Sequence, residues 1–117
     1  MTVKECYDKA GADYADAINR LGTDALIKRF SIKFLDDKSF QSLKEAIEAK
    51  DAEGAFSAAH TLKGVAVNLS FTSLYEVSSE LTEKLRGRKL EDYEELYAAV
   101  AQQYERVVNA IKELNAE

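Results

Sequence analysis

Apolar residues recur at three- and four-residue steps through the C-terminal part of the chain: Tyr93, Leu96, Tyr97, Val100, Tyr104, Val107, Val108, Ile111 and Leu114. This spacing predicts one amphipathic helix of about six turns. Its opposite side carries Glu94, Glu95, Gln102, Glu105, Arg106, Lys112 and Glu113 and faces water. Leu74, Val77, Leu81 and Leu85 predict a second helix over about residues 72–86. Ser73 and Glu76 have the spacing of a capping box at its start, and Gly87 offers a left-handed stop at its end. The connection Arg86-Gly87-Arg88-Lys89 is short, which predicts antiparallel neighbours.

Upstream, Asp51 is placed to cap an alanine-rich helix running to about Phe71. Phe40, Leu43 and Ile47 define a helix that ends near Lys50, and Leu26, Ile27, Phe30 and Phe34 define one opened by Thr23 or Asp24. The stretch from Leu35 to Phe40 leaves open whether these two are separate or halves of one kinked helix. Around Gly11, the segments 3–10 and 13–21 predict two short helices, the second closed by Gly22. There is no proline and glycine occurs only five times, so little interrupts these helices. The expected fold is all-α: an antiparallel four-helix bundle over about residues 23–115, with short extra helices over residues 1–22, in one domain spanning 1–117.

The charged fraction of 32% and apolar fraction of 46% suit a globular chain. A net charge of −5 without a basic stripe argues against nucleic-acid binding. The first residues lack the apolar core of a signal peptide, and no segment is long and apolar enough for membrane insertion. Cys6, alone, forms no internal disulfide and reads as a half-buried side chain. Cytoplasmic localisation is the expectation.

His60 is the one histidine. On a helical wheel of residues 53–71, Ala55, Ala58, Leu62, Val65, Ala66 and Leu69 gather on the core side, and His60 falls nearly opposite. It therefore points outward, midway along its helix. Lys63 and Gly64 lie one turn later, Phe56 and Ser57 one turn earlier, and Val67 and Asn68 two turns later. Mid-helix glycine costs about 1 kcal/mol relative to alanine. At position 64 it removes a side chain that would crowd the imidazole. Phe56 and Val67 place apolar surface on an otherwise polar face, as a docking patch would.

An imidazole's ordinary pKa of about 6.5 leaves much of it neutral near pH 7, with a nucleophilic nitrogen. Such a nitrogen can attack phosphorus and hold a phosphoryl group in a labile P–N bond. A lysine at position 63 would offset the added negative charge. Each residue has a plain alternative: an inert surface histidine, a solvated lysine, a glycine serving close helix packing. Their joint placement on one outward face fits a helix-borne phosphoacceptor better.

The segment Ala58-Ala59-His60-Thr61-Leu62-Lys63-Gly64 and its continuation to Phe71 resemble the histidine-containing phosphotransfer (HPt) family of two-component phosphorelays. Asp51, Phe56 and the downstream helix pair are also similar to that family, and the resemblance covers about residues 20–115. It implies an antiparallel four-helix bundle with the histidine exposed halfway along one helix. It further implies that His60 is phosphorylated at Nε2, with Lys63 stabilising phosphate and Gly64 leaving room. Phe56, Ser57, Val67 and Asn68 are inferred docking surface. Ser70 stands where the family often has glycine, and Val65 is larger than the usual small residue. Both bear on helix spacing rather than on the phosphoryl site.

No glycine-rich nucleotide loop or kinase ATP-binding pattern is present, so the expectation is a phosphocarrier and not an autokinase. One histidine excludes paired glutamate-x-x-histidine motifs of a di-iron bundle. The expected partners are response-regulator receiver domains, a hybrid sensor histidine kinase, or both. No cofactor is expected on this chain, since Mg²⁺ would sit on the receiver. A monomer is expected, and a free-standing protein is favoured over the alternative of a phosphoacceptor domain cut from a larger chemotaxis-type or hybrid kinase. The competing reading is a helical module that binds a receiver or kinase without being phosphorylated.

Overall fold

The computed structural model describes residues 1–117, and all of its regular structure is helical. The helices are α1 (Val3–Ala10), α2 (Tyr14–Leu21), α3 (Asp24–Lys33), α4 (Ser39–Glu48), α5 (Ala52–Asn68), α6 (Thr72–Leu85) and α7 (Glu94–Asn115). Side chains start several of them. Thr2 and Glu5 form a capping box on α1, and Asp13, Thr23 and Asp51 accept from the first-turn amides of α2, α3 and α5. Gly11 ends α1 with φ +67°, and its N–H reaches the Tyr7 and Asp8 carbonyls.

The open question at residues 35–40 resolves into two helices. A 3₁₀ turn, Phe34–Asp36, follows α3, and the Asp37 carboxylate accepts from the Ser39 amide at 2.9 Å as α4 begins. The four residues that define α3 divide: Ile27 and Phe34 are buried, whereas Leu26 and Phe30 are each 38% exposed.

Both expected signals at the ends of α6 are corrected. Ser73 does not cap: the N-cap is Phe71, with no side-chain bond. A tertiary contact replaces the box, because the Ser73 amide donates to the Gly11 carbonyl at 3.0 Å. After α6, the left-handed residue is Arg88 (φ +57°) and not Gly87.

Helices α4 to α7 form an antiparallel bundle, each packed on the next, with α1 and α3 laid against α7. Short turns reverse the chain between α4 and α5 and between α5 and α6. Ser73, at the start of α6, and Arg106, late in α7, both flank Gly11, as antiparallel packing of that pair requires. Phe40 of α4 stacks on Tyr97 and Tyr104 of α7, with centroids at 6.2 and 4.3 Å, and so closes the ring of helices.

One continuous core runs from Val3 to Leu114. Leu43, Leu62, Leu74, Leu81, Leu85, Val100, Val107 and Ile111 are fully buried at its centre. Each such side chain contributes about 1.5–3 kcal/mol relative to exposure. The buried side of α5 is wider than the wheel predicts, because α4 and α6 flank it. Ala59 is buried along with Ala55, Ala58, Leu62, Ala66 and Leu69, whereas Val65 is only half-buried. Small residues on both flanks let three helices approach, and only a narrow strip of α5 remains in solvent.

Candidate functional site

That strip carries His60, midway along α5, exposed and without a hydrogen bond to any other group. Asp51 makes the helix start where it does by accepting from the Gly54 amide at 2.9 Å, and burial of Ala55, Ala59, Leu62 and Ala66 turns His60 outward. The Phe56 ring lies one turn back, nearly parallel to the imidazole (13°), with centroids 6.1 Å apart. Lys63 is half-buried and has no carboxylate within ion-pair distance. A Cβ built on Gly64 meets nothing within 4 Å. This glycine therefore serves no close helix contact within the chain; it faces open space beside the imidazole.

The residues singled out in the sequence thus fall on one outward face, but the four expected to dock a partner divide between its flanks. Phe56 sits on the histidine ring. Val67 lies on the α6 side, in a cavity of about 180 Å³ with Asp16, Ser70 and Tyr75. Ser57 is on the other flank, along a groove shared with Ser39 and Ser42 of α4. Its carbonyl accepts from the Thr61 hydroxyl at 3.0 Å. Asn68 is exposed at the end of the helix.

Two arginines of the α6–α7 connection lie over the Phe56 ring. The Arg88 guanidinium carbon is 3.9 Å from the Phe56 ring centre, and that of Arg86 is at 5.5 Å. Arg86 is also clamped by Glu83 through bonds of 2.7 and 3.1 Å. Those bonds hold the Glu83 carboxyl below the usual carboxylate range, and the charge of Lys63 adds to the effect. Lys63 and Arg88 thus bring unpaired positive charge to the side of the molecule that carries Phe56 and His60, whereas the Arg86 charge is paired with Glu83, on a chain whose net charge is −5. The available signal was three basic residues in the four of Arg86-Gly87-Arg88-Lys89. Its relevance depends on α6 running back alongside α5.

On the other side of α5, the exposed Phe30 joins Phe34, Val65 and Leu69 along an open groove of about 440 Å³. No three His, Cys, Asp or Glu side chains gather into a metal-binding group, and no helix is long and apolar enough to cross a membrane.

A family model described as Hpt domain matches residues 37–110, from two residues before α4 into the last turns of α7. No curated protein and no solved structure matches the chain. The match covers more than half of the sequence and includes the whole of the histidine-bearing helix. The chain accordingly belongs to the Hpt domain family, whose members are phosphotransfer modules of two-component systems and not kinases.

Proposed function

We propose that this protein is a phosphorelay intermediate that accepts a phosphoryl group on His60 and exchanges it with an aspartate of a receiver domain. The observation that carries the reading is the pairing of an exposed, unbonded imidazole with open space at Gly64 and an uncommitted cation at Lys63. A nucleophile held on a rigid helix needs no rearrangement to meet an incoming aspartyl phosphate.

In the forward step the Nε2 lone pair attacks phosphorus as the acyl-phosphate P–O bond breaks. The aspartate carboxylate leaves with the electron pair, and the Nδ1 proton stays on the ring or passes to water. Mg²⁺ and the acidic pocket come with the receiver; this chain contributes the nucleophile, the neighbouring cations and a face free of bulk. Reversal returns the phosphoryl group to an aspartate. The partners are receiver domains, a hybrid sensor kinase or both, met in the cytoplasm by a single copy of this chain.

The test is transfer from a phosphorylated receiver domain, with His60→Gln as control. Acid-labile, alkali-stable phosphate on the wild type alone is the expected result. Tight receiver binding with no transferred label would replace this reading with that of a binding module.

A further inference from the structure

Lys63 lies one turn beyond His60 and two arginines lie over Phe56, and the commitments of these cations differ. Arg86 donates twice to Glu83. Arg88 has no carboxylate within ion-pair distance; its one polar partner is the Arg86 carbonyl, at 2.6 Å, and its guanidinium rests on Phe56. Phe56 in turn stacks on His60. The Arg88 guanidinium therefore lies no farther from the imidazole centre than 3.9 and 6.1 Å laid end to end. That separation is comparable to the Debye length of about 8–10 Å, and a long side chain on an exposed loop can close it.

We infer that Arg88, and not its neighbour Arg86, is the second cation of the phosphorylated site, moving from the Phe56 ring onto phosphoryl oxygens carried by His60. The inference rests on the relay reading. An exposed cation–π contact is weaker than a guanidinium–phosphate pair, so a phosphoryl group arriving beside Phe56 outcompetes the ring. Arg86 would have to surrender two charge-assisted bonds to do the same. It serves instead to anchor the end of α6, from which Arg88 reaches. Left-handed backbone at Arg88 turns the chain at that point.

The experiment loads His60 with phosphoramidate: the Nε2–P bond forms as the donor's P–N bond breaks, and ammonia leaves with the electron pair. The phosphoryl titration is then followed by ³¹P NMR. A nearby guanidinium favours the dianion, so Arg88→Ala should raise the titration midpoint by about 0.5 pH unit, a threefold change in proton affinity. Arg88→Lys should restore most of the difference, and high salt should shrink it. Arg86→Ala should raise the midpoint by clearly less than Arg88→Ala does, because the Arg86 charge is already paired with Glu83, while lowering the melting temperature. An Arg88→Ala midpoint equal to wild type, or a shift with Arg86→Ala as large as that with Arg88→Ala, overturns the inference. Phosphoramidate labels an accessible histidine without any receiver. Loading with no onward transfer to receivers therefore sinks the relay reading alone, whereas failure to load His60 at all sinks both.

Discussion

The Ser70 hydroxyl donates to the Asp16 carboxylate at 2.7 Å, and the Ser70 carbonyl accepts from the Asp13 amide at 2.9 Å. Helix α2 thereby grips the turn between α5 and α6. Ser70 is left-handed, with φ +60°, a conformation that costs an L-residue about 1–2 kcal/mol and glycine little. Nearby, the buried Tyr7 hydroxyl donates to the Leu69 carbonyl at 2.9 Å, so α1 holds the same turn. The short N-terminal helices thus offset a strained corner at the end of the histidine-bearing helix.

Ser70→Ala keeps the left-handed backbone and loses the bond, and should destabilise by about 1 kcal/mol in urea denaturation. Ser70→Gly loses the bond but relaxes the backbone, and should fall within about 0.5 kcal/mol of wild type. Equal losses in the two variants would show that the positive φ carries no cost. The same contact predicts acid sensitivity. The Ser70 hydroxyl, and after it Arg20, hold the Asp16 carboxyl below its ordinary value of 3.8. Because the folded value is depressed, this stabilisation is present above the ordinary value and fades as pH falls through the depressed one. Asp16→Asn should flatten the acid limb of the stability curve.

Gly64 should separate stability from function. A Cβ there meets nothing, so Gly64→Ala should stabilise the bundle by about 0.5–1 kcal/mol through helix propensity. Gly64→Leu should fold as well, yet slow phosphoryl transfer at least about tenfold, since the side chain fills space a partner must enter. Thermal melts and single-turnover transfer rates read the two effects. Full transfer activity in the leucine variant would remove the clearance role.

Lys63→Ala should reduce the transfer rate about threefold to tenfold while changing stability by less than about 0.5 kcal/mol. Lys63 has no ion-pair partner to lose, so its charge acts on what arrives at His60. Unaltered transfer kinetics and phosphohistidine lifetime would count against that role.

Cys6 is 1% exposed, and burial, with the Glu113 charge adding, pushes its thiol up to about 11. At pH 8 the native protein should therefore react with a thiol reagent at least about 100-fold more slowly than the urea-unfolded chain. Burial likewise pushes the Tyr7 phenol up to about 12. Both values are raised, so the stabilisation is complete below the ordinary values and is lost as pH rises through about 11 to 12. Fast labelling of the folded protein would show that α1 opens from α7 readily.

Local patterning determined most of the helices by itself. Asp51, Thr23 and Gly11 punctuate the chain through bonds within a few residues of themselves, and the 3.6-residue period of α7 needs no partner to be read. The outward phase of His60 follows from the same period, because the alanines and leucines of α5 leave it one direction to face. Tertiary structure decided what depends on residues far apart in sequence. Ser73 makes no capping box because Gly11, brought up from α1, supplies the acceptor its amide needs. Leu26 and Phe30 share the helical spacing of Ile27 and Phe34 yet stay exposed, because no helix packs over their side of α3. Arg88 meets Phe56 only because α6 runs back along α5 and its exit loop turns there. Periodicity assigns a residue to a face of its own helix; which helix, loop or solvent covers that face is settled only when the bundle closes.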